Sequence, residues 1–457
     1  MTQHCRVLII GAGPAGMFAA RELALHGIDN VKVIDSGHQA SNRDCPLTES
    51  CNCTPCDVLE GLGGSGGVSD GKMTFALDRG TQMEPIFREE HLPLLSYVDS
   101  FMSQMGITGV RYEPEDALFP DSSDGIEFQT YPLWHVGSDG IRLFSSRFTD
   151  YLEKLDITIS RRTRAQHLIV HDGEIRGVVV RRDYGRGEYR QEEIYADHVV
   201  LAVGLFGIGW LEEQMHALGV RFDTGPAGIG LRIETPAEVL APLFDSFYDW
   251  KAVGTFEGIT LRSFCCNRNG YIMPEYHRSL QIRNVNGHSY LDPARRSESS
   301  NFSLQAKITT DDVDNPQQYV RNIARKMNNL SGGWQVRQTI ARFLDEPVDP
   351  DESMVTYPQA RRADLRTALP PVLKSAFSEY LRRLDNRIPG IVASGWLYGP
   401  EIKYHARKLP VERDTWRMNG MQSTYVIGDS TGLTGSYVSA ALTGIIAARA
   451  IFDSEEH

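Results

Sequence analysis

Gly11-Ala12-Gly13-Pro14-Ala15-Gly16 stands between the apolar run Val7 to Ile10 and a helical pattern from Met17 to His26, and Asp35 closes the next apolar run, Val31-Lys32-Val33-Ile34. Strand, glycine turn, helix, second strand and terminal acid together make a dinucleotide-binding unit. The first glycine allows the tight turn out of the strand, the second lets the backbone approach a pyrophosphate, and the third lets helix pack on sheet. Gly11, Gly13, Pro14, Ala15 and Gly16 thus form a pyrophosphate turn at the positive end of a helix. Asp35, with Ser36 beside it, falls where an acid accepts hydrogen bonds from ribose hydroxyls, which favours FAD or NAD over NADP.

The far end of the chain separates those two. Ser423 to Asp429 forms a short strand pattern ending in Gly428-Asp429, and Gly432, Gly435 and Ser436 lead into a small-residue helix from Val438 to Ala450. This segment resembles the C-terminal signature of FAD enzymes of the glutathione-reductase type. The resemblance implies that Asp429 takes a ribityl hydroxyl and that the helix opening at Gly435, Ser436 and Val438 points its N-terminus at the flavin pyrimidine. A helix N-terminus would stabilise negative charge on a reduced flavin. Ala196 to Gly204 is similar to the strand that closes such a domain, with Gly204 against the cofactor. FAD is therefore expected, with NAD as sole cofactor the alternative.

Composition bounds the rest. A chain of 457 residues, 41% hydrophobic and 23% charged, can bury two substantial cores. A net charge of −12 and a pI near 5.6 argue against nucleic acid or an anionic membrane as partner. No apolar stretch approaches the roughly 20 residues that span a bilayer, and the first strand starts too early to leave room for a secretory signal. A cytoplasmic location is expected, where seven cysteines are thiols or ligands more readily than disulfides.

The chain divides by pattern. Ser36 to Asp70 is rich in Cys, Gly, Ser and Pro and is expected to be a long ordered loop. Ile141 to Leu155 has helical spacing, and Thr158-Ile159-Ser160, Ala165 to His171, Gly177 to Arg182 and Glu192 to Val203 have strand patterns, with a hairpin turn at Asp172-Gly173. These resemble the β-meander of FAD domains, with Ala165 near the cofactor. From Gly219 to Gly395 strands mix with amphipathic helices, Gln317 to Leu330 and Val372 to Leu384 among them. The expected architecture is α/β: a Rossmann-type, glutathione-reductase-like FAD domain at 1–218 and 396–457, with a mixed α+β substrate domain inserted at 219–395. No second nucleotide fold is evident, since Gly204 to Gly209 has the wrong glycine order. Any NAD(P)H binds without its own domain, or electrons come from the substrate or a protein partner.

At Cys45-Pro46, Cys51, Cys53, Cys56 and Gly63-Gly64-Ser65-Gly66-Gly67-Val68-Ser69-Asp70-Gly71-Lys72 the chain resembles a bacterial and archaeal family of FAD-dependent dehydrogenases. Matches continue at Ser263-Phe264-Cys265, Asn269-Gly270, Val285 to Ser289 and Leu397 to Tyr404. The chain departs from that pattern at Cys266, at Pro400, and at Leu205-Phe206, where the family has an Arg-Ser pair. The resemblance carries no substrate.

Consecutive glycines let a backbone pass close to a cofactor, so Gly63, Gly64, Ser65 and Gly66 are candidate contacts. Lys72 then reaches the flavin N5 edge, or pairs with Asp70 at the surface. Cys45, Cys51, Cys53 and Cys56, spaced C-x5-C-x-C-x2-C, bring four sulfurs together for zinc or an iron–sulfur cluster, against the reading of thiols or disulfides. Cys265 and Cys266 are either an attacking thiol or small buried hydrophobes. Alternation on an extended strand puts Glu401, Lys403 and His405 on one face as acid, cation and base, or as an exposed charged face. His288 is a proton shuttle or a turn histidine. The leading expectation is hydride transfer between FAD and a small organic molecule, with a flavin monooxygenase or a non-catalytic FAD-binding protein as rivals.

Overall fold

The computed structural model describes residues 2–43, 45, 53, 55–77, 86–114, 124–185, 187–223, 225–348, 350–404 and 407–456. Apolar alternation over Thr2–Ile10 and Val31–Ile34 produces two parallel strands buried on both faces, joined by the helix Pro14–Leu25, which begins immediately after Gly13 with proline at its first position. These strands belong to a seven-stranded sheet whose other parallel members are Thr158–Ser160, the second half of Glu188–Leu201, and Thr424–Val426. Glu188–Leu201 has two partners in succession. Its first half runs antiparallel to Glu174–Gly185, which in turn pairs with Thr163–His171. The meander is as expected, and Asp172 and Gly173 both take positive φ, 52° and 79°, the conformation a two-residue hairpin turn requires.

Behind this sheet the helices Pro14–Leu25 and Tyr437–Glu455 pack closely enough that the nearest approach is possible only at a glycine. A Cβ on Gly444 would overlap the Ala15 carbonyl oxygen. Phe18, Phe101 and Phe148 lock the first helix to Leu92–Gln104 and Gly137–Lys154 through edge-on ring contacts, with centroids 4.8 to 5.7 Å apart.

The second layer is an eight-stranded sheet, Arg361–Arg362, Val336–Thr339, Trp396–Tyr404, Ala227–Pro236, Ser299–Ile308, Ile259–Asn267, Lys251–Phe256 and Ile126–Gln129 in spatial order. It is antiparallel except at its first pair. Pro316–Leu330 and Pro371–Arg387 pack their apolar faces on it. The expected boundary at residue 396 is corrected here. Trp396–Tyr404 is an inner strand of this sheet, hydrogen-bonded between Val336–Thr339 and Ala227–Pro236, and Ile126–Gln129 joins it from the first half of the chain. Hydrogen-bond partners, rather than chain order, divide the layers. No helix among the described residues is long and apolar enough to cross a membrane.

Replacing Gly444 by Ala should push the two long helices apart and destabilise the fold by about 1–3 kcal/mol, despite alanine's higher helix propensity. Thermal unfolding checks this; an unchanged or raised melting temperature would show that the helices tolerate the separation.

Candidate functional site

The two glycine runs interlock. Gly11 (φ +111°) and Gly16 are demanded by the chain itself, because a Cβ on Gly11 would overlap the Ala202 carbonyl oxygen and one on Gly16 the Gly11 carbonyl oxygen. Gly13 is different. A Cβ there meets only Gly64 Cα, at 3.8 Å, an ordinary contact. Packing does not require glycine at this position; the approach of a pyrophosphate would. The second run is fixed against the first by Gly63 N–H donating to Ala12 O at 2.8 Å, and Gly64 takes φ +63°. Arg43, 1% exposed, holds that run from behind: its guanidinium donates to the carbonyls of Asp57 (2.9 Å), Val58 (3.0 Å), Leu62 (2.9 Å) and Gly64 (2.7 Å). The loop amides can therefore turn toward the first glycine turn while the loop carbonyls face the arginine.

Asp35 accepts from Ala12 N and Gly37 N, 2.9 Å each, one bond per oxygen, and burial raises its pKa. Each oxygen keeps acceptor capacity for a ribose hydroxyl. Ser36 Oγ donates to Glu60, which also pairs with Arg164. Ala165 lies in the meander strand and can offer only backbone. Gly204 N donates to Ser430 Oγ at 2.9 Å, which ties the closing strand to the Gly428–Thr431 turn. Gly428 N donates to Thr443 Oγ1, and Ser436 caps the helix Tyr437–Glu455, accepting from Ser439 N at 3.1 Å. Asp429 is half-buried, with Thr434 Oγ1 donating to its Oδ1 at 2.6 Å; its other oxygen receives no hydrogen bond from a described residue. Burial pushes this carboxyl up to about 6, opposed in part by Thr434 and by the charge of Lys403. A ribityl hydroxyl is the donor this arrangement lacks, and the residues present fit FAD.

A second cluster lies where the glycine loop meets the second sheet. Gly71 (φ +69°) turns the chain so that Lys72–Thr74 pairs with Leu133–His135. Lys72 is 12% exposed, with Nζ 2.9 Å from Asp70 Oδ2 and 3.5 Å from Asp249 Oδ1. Burial alone would lower its pKa, but Asp249 and Asp70 outweigh burial and hold the ammonium well above its ordinary range. Asp70 also accepts from Ser289 N (2.8 Å) and Oγ, and faces His135, whose ring stacks on Tyr248 at 3.8 Å. Asp249 accepts from Lys251 Nζ (2.6 Å), Cys266 N (2.8 Å) and the Tyr131 hydroxyl. The expected pairing of Lys72 with Asp70 is present, buried rather than at the surface.

Arg232 lies beside this cluster, 0% exposed. Its Nε and Nη2 meet the two oxygens of Glu401 at 2.8 and 2.7 Å, and Nη1 donates to Asn301 Oδ1 (2.8 Å), Asn267 Oδ1 (3.0 Å) and the Cys265 carbonyl (3.2 Å). Glu401 is thereby committed as counter-ion, which removes it from the acid and base roles expected of it. Lys403, two residues on, lies 3.8 Å over the Phe264 ring, and burial lowers its pKa. His405 lies outside the described residues. Cys265 takes φ +52° at a bulge between Phe264 and Asn267, with Sγ 3.7 Å from Lys72 Nζ, while Cys266 is fully buried. His288 is 5% exposed, and burial lowers its pKa.

Sequence reasoning missed Arg232, Asp249, Tyr131, Tyr248 and His135. Only Arg232 left a signal, a charge inside the buried run Ala227–Pro236. Of the four loop cysteines, Cys51 lies outside the described residues. Cys45 and Cys56 share an apolar cluster with Val58 and Leu59, and the Cys53 carbonyl accepts from Arg278. Among the described residues no three His, Cys, Asp or Glu side chains are grouped to hold a metal.

Residues 4–63 match one family model described as FAD binding domain, and residues 139–243 match a second with the same description. A protein of Clostridium beijerinckii described as uncharacterized is 22% identical, covering 98% of this chain and 81% of its own. Among solved structures, a geranylgeranyl bacteriochlorophyll reductase-like protein from Thermoplasma acidophilum is 12% identical, with a TM-score of 0.44, covering 100% of this chain and 80% of that one. A 3-ketosteroid-Δ4-(5α)-dehydrogenase from Rhodococcus jostii RHA1 is 12% identical, with a TM-score of 0.45 and coverages of 98% and 97%. Likeness at that level bears on neither reaction nor substrate. The two domain matches fall on the glycine turn and on a stretch that includes the meander, and both models describe FAD binding.

Gly13→Ala should leave thermal stability near wild type while sharply weakening FAD retention, whereas Gly16→Ala should destabilise the fold itself. Melting curves and FAD absorbance on the same samples separate the two, and equal effects on stability would refute the distinction. In FAD-free protein, Asp429 has a folded pKa near 6 against an ordinary 3.8. Its protonated form favours the fold, so stability is full below pH 4 and falls by roughly 3 kcal/mol as pH rises through 6. Asp429→Asn should abolish that slope, measured as the melting-temperature difference from wild type between pH 4 and 8; a constant difference would contradict it.

Proposed function

We propose that the protein passes a hydride between FAD and a small organic molecule held where Lys72–Thr74, Ile259–Asn267 and Trp396–Tyr404 converge. The observation that carries this reading is the 3.7 Å contact of Lys72 Nζ with Cys265 Sγ, which joins the glycine loop to the second sheet beside Lys403. Asp429, which feels the charge of Lys403, belongs to the turn that fits the ribityl chain. The resemblance of 423–438 to glutathione-reductase-type enzymes supports the same placement.

FAD, held by the two glycine turns, Asp35 and Asp429, supplies two-electron chemistry when bound. The chain's own groups divide the remaining work. Lys72, locked between two carboxylates, stays charged and acts as a fixed positive potential for charge developing at the reacting atoms. Lys403 has no such lock, and burial lowers its pKa, so it is the cation of the site that gives up a proton more readily. The stacked pair of His135 and Tyr248, both buried, packs beside Asp70, which is itself buried.

Purified protein should be yellow, and its flavin should be reduced anaerobically by an organic donor or a nicotinamide in a screen of candidates. Lys403→Met should retain FAD yet slow that half-reaction roughly 100-fold, the usual contribution of a positioned proton-transfer group. A colourless protein that cannot be reconstituted, or a Lys403→Met variant reduced at the wild-type rate, would overturn the reading.

A further inference from the structure

One lysine meets the sulfur of Cys265 and a second, from another element, lies over the ring of the residue before it. Cys265 Sγ lies 3.7 Å from Lys72 Nζ, and the Lys403 ammonium sits over the ring of Phe264, the residue before it, close enough for the charges of Lys403 and Cys265 to act on each other. The bulge and Arg232's hold on the Cys265 carbonyl fix that orientation.

The cations of the cluster are not equally satisfied. Lys72 is met by Asp70 and Asp249, Lys251 by Asp249, and Arg232 by Glu401. Half-buried Lys403 has no carboxylate within 4.0 Å among the described residues. Of the acids around it, Glu401 is occupied by Arg232 and Glu275 by Asn284 (3.2 Å), Asn286 (2.7 Å) and His277 (3.3 Å), while Asp429 accepts from Thr434 on one oxygen and keeps the other for the ribityl chain. A second observation is independent of these charges. His288, 5% exposed, has no hydrogen bond from either ring nitrogen to a described residue.

We propose that the substrate of this site is a small organic carboxylate, with its carboxylate on Lys403 and its reacting carbon against Cys265 Sγ; this rests on the oxidoreductase reading above.

Alkylation tests it on FAD-loaded protein. Iodoacetate and iodoacetamide react alike, the sulfur forming a bond to the methylene carbon as iodide leaves with its electron pair and the thiol proton passes to solvent; they differ in the carboxylate. At pH 7, with modification located at Cys265 by mass spectrometry, the iodoacetate-to-iodoacetamide rate ratio should exceed that of glutathione about tenfold. Lys403→Met should bring the ratio down to the glutathione value and Lys403→Arg should keep it high, both with FAD absorbance intact. Cys265→Ser should remove the modification. A wild-type ratio equal to or below that of glutathione, a ratio indifferent to Lys403→Met, or a Cys265 that neither reagent reaches would overturn the proposal. Protein that fails to hold FAD overturns the oxidoreductase reading instead, and the alkylation ratio is read separately from that result.

Discussion

A guanidinium in a protein interior must be met on every side, and Arg232 is. Its bidentate pair with Glu401 ties two neighbouring strands, Ala227–Pro236 and Trp396–Tyr404, and its remaining donors reach Asn267, Asn301 and the Cys265 carbonyl on two further strands. Removing either partner of such a pair leaves a buried charge uncompensated, a cost of about 3–5 kcal/mol. The rest of the site hangs on this pair. It fixes the bulge that presents Cys265, sets the register from which Lys403 projects two residues after Glu401, and gives the buried amide oxygens of Asn267 and Asn301 a donor.

The same rule explains why two lysines a few residues' reach apart behave differently. Lys72 is met by two buried aspartates, one of them shared with Lys251, so burial is outweighed and Lys72 stays charged. Lys403 is half-buried against an aromatic face and has no carboxylate within 4.0 Å among the described residues, so burial prevails. One gives a constant field; the other is sensitive to whatever binds beside it.

Cofactor binding depends on a different constraint, the close approach of two backbones. Gly11 and Gly16 serve the fold, Gly13 leaves room that the fold does not need, and Arg43 collects the carbonyls of the second glycine run, so that loop is held without large side chains on its inner side.

Much of this was legible in the chain because it is local. The turn from Gly11 to Gly16, Asp35 at the end of its strand, the meander with its Asp172-Gly173 hairpin, and the Gly428-Asp429 segment all follow from periodicity and turn chemistry within a few residues. Lys72 and Lys403 were legible as candidates for the same reason. Strand partnership was not: nothing in Trp396–Tyr404 or Ile126–Gln129 says that they belong to the second sheet, since pairing is decided by edges far apart in sequence. Nor could the sequence tell Glu401 from Lys403 as chemistry, because the distinction lies in Arg232, 169 residues from its carboxylate partner. The sequence by itself determined a dinucleotide cradle and the identity of the groups near it. Only the tertiary structure decided which charges cancel, because a charge's role is set by its neighbours in space and not by its neighbours in the chain.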